Sequence, residues 1–200
     1  MNERWMFMHS MAGRDGATHG NRGSDMAVAT PELTARLEAR LEEAVKGSFK
    51  EFAGIQVRPV AVDDQNRHIG KTLTCSATLF GRGWLGQLLV LMPDGMGRSI
   101  STLVGRIRPD QELRGADVAD GLGALCAGVG LAFGREFSDE EQVTVGMPIV
   151  IGGGDLSVMF SWGRHFETRL SFQSSTGPFW VILRLSHTRR DQVAAGPEAS

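Results

Sequence analysis

Apolar residues return every three or four positions across residues 33–52, as Leu33, Leu37, Leu41, Val45, Phe49 and Phe52. That period is one stripe of an α-helix. Thr30-Pro31-Glu32 supplies a start for it: a threonine as N-cap, a proline at the first helical position, and a carboxylate in the first turn, where the helix dipole favours negative charge. Gly54 can close the run in a left-handed cap, so the pattern predicts about six turns of amphipathic helix. The other side (Glu32, Arg36, Arg40, Glu43, Lys46, Lys50) reads as a solvated ladder of charges.

Beyond this helix the period shortens to two. Residues 55–62 alternate and read as an edge strand, because Pro59 has no N–H to give a neighbour. Residues 63–67 make a turn. Residues 71–80 and 84–92 are two further strands, joined by Gly81-Arg82-Gly83, whose glycines can take the positive φ of a tight hairpin. Asp94 can cap a short helix carrying Met96, Ile100, Leu103 and Val104. The helical period then returns over about residues 112–137. Val118, Leu122, Leu125, Val129 and Phe133 share one stripe there, and Asp117, Asp120, Ala124, Ala127 and Leu131 share the opposite one. Strands follow near residues 142–151, 156–162, 166–173 and 178–186, with Gly152-Gly153-Gly154 and residues 174–177 as breakers. The sum is an α+β fold with long helices packed on one face of a mainly antiparallel sheet.

Composition narrows this picture. A chain of 200 residues with 42% hydrophobic content holds one ordinary core. One domain is therefore expected over residues 30–188, between a disordered N-terminal tail (1–29) and a frayed C-terminal tail (189–200). The first tail carries five of the nine methionines among Gly, Asp, Arg and His, too little apolar surface to fold and no apolar run of signal-peptide length. Net charge is −2 with basic residues scattered, so there is no basic stripe for a nucleic acid. No membrane is expected either, because no window reads as an uninterrupted span of about 18 apolar residues. Cys75 falls in a strand and Cys126 on the flank of the central helix's apolar stripe. Two buried thiols suit a reducing compartment, and a cytoplasmic protein is expected.

Candidate chemistry is sparse. Gly70-Lys71-Thr72 ends like a phosphate loop, but Gln65 stands where the first glycine belongs and a strand follows where a helix should start. Gly128, Gly130 and Gly134 brush against a dinucleotide fingerprint. They lie inside a helix, however, where close approach of another backbone or ring, such as Phe49 or Phe52, is the better reason for glycine. The five histidines never fall at a metal-ligand spacing. Serines such as Ser99, Ser101, Ser174 and Ser175 read as capping and turn residues. No cofactor and no metal are expected.

Four segments in this order resemble the CheX-like branch of the CheX/CheC/FliY chemotaxis phosphatases. They are Phe-Lys-Glu-Phe-Ala-Gly-Ile closing the first helix, Gly-Gln-Leu-Leu-Val-Leu-Met-Pro before the short helix, Ala-Asp-Gly-Leu-Gly-Ala-Leu-Cys-Ala-Gly in the central helix, and Met-Pro-Ile-Val-Ile-Gly-Gly-Gly after it. In that family the outward side of the central helix carries Glu-x-x-Asn. The acid grips the receiver-domain lysine beside a phospho-aspartate, and the amide orients the attacking water, so catalysis is positioning and electrostatics. Here those places read Ala124 and Ala127. The three asparagines (Asn2, Asn21, Asn66) all lie outside that helix, so a one-residue slip of register does not restore the pair. The resemblance therefore implies a signalling module that has lost phosphatase function. It would bind a receiver domain or another signalling protein through Asp117, Asp120, Ala124, Ala127 and Leu131, with Gly123 and Gly134 on the same smooth face. It also implies homodimers through sheet edges. The enzymatic alternative is an aspartyl-phosphate phosphatase using Asp117 or Asp120.

Overall fold

The structure is a computed structural model in which residues 30–61, 71–108, 110–135, 143–153 and 166–187 are described. Both expected tails, the turn at 63–67 and the expected strand at 156–162 lie outside the described residues. Helix α1 (Pro31–Ala53) begins as its sequence dictates. Thr30 Oγ1 accepts the Leu33 N–H at 3.3 Å, Pro31 sits at the first helical position, and Gly54 closes the helix at φ 67° with its N–H bonded to Lys50 O. That φ is left-handed and suits glycine, which has no Cβ to clash.

The sheet comprises β1 (Val57–Val60), β2 (Thr72–Gly81), β3 (Trp84–Pro93), β4 (Thr144–Val145), β5 (Ile149–Gly152), β6 (Phe166–Ser174) and β7 (Gly177–His187). Its order is β1-β6-β7-β3-β2-β4, with β5 also on β2, and every pairing is antiparallel. As Pro59 implies, β1 is an edge strand. Strands β2 and β3 form the expected hairpin, with Gly83 at φ 81° in the turn. The single strand expected over 142–151 is split, however. Gly146 donates its N–H to Thr78 O at 2.7 Å, and Pro148 has no N–H. Gly146 thus stays bonded to β2, but residues 146–148 face only two residues of β2 between the Leu79–Val145 and Ser76–Ile149 pairs, a bulge of one extra residue that separates β4 from β5.

Helices α1, α2 (Asp94–Val104) and α3 (Gly115–Arg135) share one face of this sheet. Asp94 is not the cap expected of it. Pro93 occupies that place without a side-chain bond, and Asp94 lies in the first turn, where its carboxylate accepts from Arg98 Nε at 2.9 Å. Within α2, Met96 and Ile100 are buried but Leu103 is largely exposed. Beneath α1 an aromatic ladder forms the core, Phe49 on Phe179 at 4.5 Å and Phe179 on Phe172 at 5.2 Å between ring centroids. Helix α3 is long and apolar enough, by length and composition, to cross a membrane, which the expectation of no such window missed. Its apolar stripe is spent instead on the core between α1, α2 and the sheet.

Candidate functional site: the outward side of helix α3

Every residue of the expected inward stripe of α3 (Val118, Leu122, Leu125, Val129, Phe133) is buried. On the opposite side Asp120, Ala124 and Leu131 are exposed, while Asp117 and Ala127 are half-buried. Leu131 keeps 48% of its surface in solvent. Ala124 and Ala127 are one turn apart, about 4.5 Å along the axis, so their methyl groups lie side by side on the solvent side. The central helix thus has the two-sided character its spacing dictates.

The glycines on its flanks explain how close its neighbours come. A Cβ on Gly121 would stand 2.7 Å from Ser101 Cα, and one on Gly128 would stand 2.5 Å from Phe52 Cε2. Phe52 is therefore the ring that the glycine makes room for, one of the two neighbours the sequence offered. Ser101 is not the surface cap expected of it. It is fully buried, donates to Gly97 O at 2.9 Å and lies 3.1 Å from Val118 O, which ties α2 to α3. Ser174, by contrast, does organise the β6–β7 turn, bonding Thr176 N and Thr176 Oγ1.

Gly123 and Gly134 are half-buried at the margin of this side. A Cβ at Gly134 would meet Val143 at 2.7 Å, and one at Gly123 would approach Pro148 at 3.7 Å. The chain that carries β4 and β5 runs along that flank and covers it. Phe52 enlarges the exposed side instead. Its helical spacing assigns it to the core, yet it remains 39% exposed where it crosses Gly128. Met147, next to Pro148, is 91% exposed. Neither residue carries a sequence signal for exposure, because each position depends on which neighbour the tertiary fold brings to α3.

The chemistry available is limited. Asp117 is already committed, since its Oδ2 accepts the Arg114 backbone N–H at 2.8 Å. This is the reciprocal half of a capping box, in which a third-position acid satisfies an amide that the helix start leaves unpaired. Asp120 stays on the exposed side. The described residues contain no asparagine at all, and no group of three His, Cys, Asp or Glu among them could hold a metal ion. Cys75 and Cys126 are both buried and reduced, with Cys126 Sγ 3.9 Å from Cys75 O. Hydrogen bonding with Cys75, and then burial, push the Cys126 thiol well above its ordinary 9.0, the opposite of an activated nucleophile.

No family model matches the chain, and no curated protein matches it in sequence. Solved structures do match. A CheX chemotaxis protein from Desulfovibrio desulfuricans superposes with a TM-score of 0.62 at 16% identity, covering 76% of this chain and 99% of that one. A CheC-like superfamily protein from Shewanella sp. PV-4 gives 0.59 at 15% identity, covering 75% and 97%. CheX in the CheX-CheY-BeF3-Mg complex of Borrelia burgdorferi gives 0.56 at 12% identity, covering 76% and 98%. The chain has the CheX/CheC-like fold.

Proposed function

We propose that this chain is a chemotaxis-type signalling module of the cytoplasm that docks a receiver domain, or a comparable signalling protein, on the outward side of α3 without hydrolysing its acyl phosphate. The observation that carries the reading is the pair of methyl groups at Ala124, exposed, and Ala127, half-buried, set one turn apart on the outward side of a helix in a CheX/CheC-like fold. Hydrolysis of an aspartyl phosphate needs a carboxylate to hold the partner's lysine and an amide to aim water in line. A methyl group has no lone pair and no polarised hydrogen, so neither task is within its chemistry. Binding is a different matter. Small side chains let another backbone approach closely and desolvate nothing polar, while Phe52 and Leu131 offer larger apolar anchors beside them. That a solved structure of this fold holds CheX together with CheY supports a receiver domain as the partner. Self-association through sheet edges belongs to the same reading, with β5 rather than the Pro59-bearing β1 as the better edge.

The test is incubation of the protein with phosphorylated receiver domains. Stoichiometric binding is expected, with phosphate released no faster than the receiver releases it alone. Leu131→Asp should weaken the complex by about tenfold or more, the effect of placing a charge in an apolar contact. The double substitution Ala124→Glu, Ala127→Asn should confer turnover, because it supplies the missing groups to a scaffold already in place. Turnover by the unmodified chain that disappears in Asp120→Ala would replace this reading with the enzymatic one.

A further inference from the structure

The chain has two cysteines, 51 positions apart in sequence, and the fold brings them together. Helix α3 rides close over β2 where they meet. A Cβ on Gly97 of α2 would stand 2.6 Å from Leu73 of β2 and 3.4 Å from Leu122 of α3, and one on Gly130 of α3 would stand 3.0 Å from Leu79 of β2. Between these two contacts Cys126 faces Cys75, with Cys126 Sγ 3.9 Å from Cys75 O. Alternation along β2 turns Leu73, Cys75, Ala77 and Leu79 toward the helices, and Leu122, Cys126 and Gly130 follow one another a turn apart along α3.

Both residues are 1% exposed and unbridged. A hydrogen bond between the two side chains, and then burial, hold the Cys126 thiol above its ordinary value. The thiolate is the nucleophile in exchange, so a thiol kept neutral reacts slowly. Reaction therefore waits on separation of α3 from β2, an opening that exposes both sulfurs at once. A reducing compartment keeps the pair as two thiols, whereas oxidising conditions supply a partner for exchange.

We propose that Cys75 and Cys126 form a latent internal disulfide, made by exchange with a small-molecule disulfide, that staples α3 to β2. One protein thiolate attacks the small disulfide, forms a mixed disulfide and expels a small thiolate. The second protein thiolate then attacks the protein sulfur of that mixed disulfide and expels the other small thiolate. Two protein thiols are thereby oxidised, one small disulfide is reduced to two thiols, and the two thiol protons pass to the leaving sulfurs. The bridge lies in the core beneath α3 and is independent of the receiver-docking reading.

Incubation of the full-length chain with excess oxidised glutathione tests this, in buffer and in urea just below the unfolding transition, read by intact mass, by thiol count in denaturant and by gel filtration. The expected product is a monomer lighter by two hydrogen atoms, with no free thiol and with the Cys75 and Cys126 peptides joined in a proteolytic map. Urea should speed its formation, because opening limits the exchange. Bridging a loop of this length restricts the unfolded chain, so the urea midpoint should rise by about 1 M or more and return with dithiothreitol. Cys75→Ala and Cys126→Ala should each take up one glutathione at most and show no such rise; the mass and the peptide map of the natural chain decide the matter even where a variant fails to fold. Two glutathione adducts on one chain, a disulfide between two chains, both thiols intact after incubation in urea, or a bridged chain with a midpoint below that of the reduced one would each overturn the proposal.

Discussion

Helix α3 uses small residues on two of its sides for opposite ends. On its flanks, Gly121 and Gly128 are small because the Ser101 backbone and the Phe52 ring already occupy the space a Cβ would need. On the outward side, Ala124 is small and exposed, and Ala127 is small and half-buried. The first pair is defined by what touches it and the second by the side of the helix it lies on. A sequence records both as Gly or Ala, so only the neighbours tell a residue kept small by packing from a small residue nearer the surface.

The contrast can be broken most forcefully from inside. Phe133→Ala removes a fully buried ring from the inward stripe and should cost about 3–5 kcal/mol. Urea unfolding with an unchanged m-value would register that loss. A finer cut lies between the two glycines. Gly121→Ala drives a Cβ against backbone that cannot move aside and should cost about 1–3 kcal/mol. Gly128→Ala meets a half-exposed ring that can swing outward, and the gain in helix propensity of ~1 kcal/mol offsets the shift. Near-equal losses at the two sites would show that the Phe52 ring is as fixed as backbone.

Stability against pH reports on the same interior. Because the Cys126 thiol is raised above 9.0 in the folded chain, its contribution is complete below the unfolded thiol's value. It is lost as pH climbs from there toward the folded value, with a slope of up to about 1.4 kcal/mol per pH unit. Unfolding midpoints across alkaline pH should fall for the natural chain and fall less for Cys126→Ala. The smallest effect belongs to the outward side. Ala124→Gln should move stability by no more than about 0.5 kcal/mol, so any loss of partner binding it causes is a loss at the surface itself.

Much of this was legible in residue order. The start and stop of α1 follow from Thr30, Pro31 and Gly54, because capping is decided within a single turn of chain. The β2–β3 hairpin follows from alternation around Gly83, and the buried stripe of α3 from its period. What misled was local plausibility. Asp94 has the chemistry of a cap but sits one residue too far along, since the Asp94 N–H is already given to Lys71 O. The alternation of residues 142–151 hides the extra residue that bulges out over 146–148. Ser101 reads as a turn residue yet joins two helices, and Phe52 has core spacing yet lies partly in solvent.

Sequence alone determined which residues of α3 point inward and that Ala124 and Ala127 fall on its outward side, because side-chain direction along a helix follows from its period and from nothing farther away. Tertiary structure decided the limits of the exposed face. The chain carrying β4 and β5 approaches Gly123 and Gly134, and Phe52 lies across Gly128. None of these contacts follows from the helical period, because each joins α3 to another element whose place is set by the packing of the whole domain.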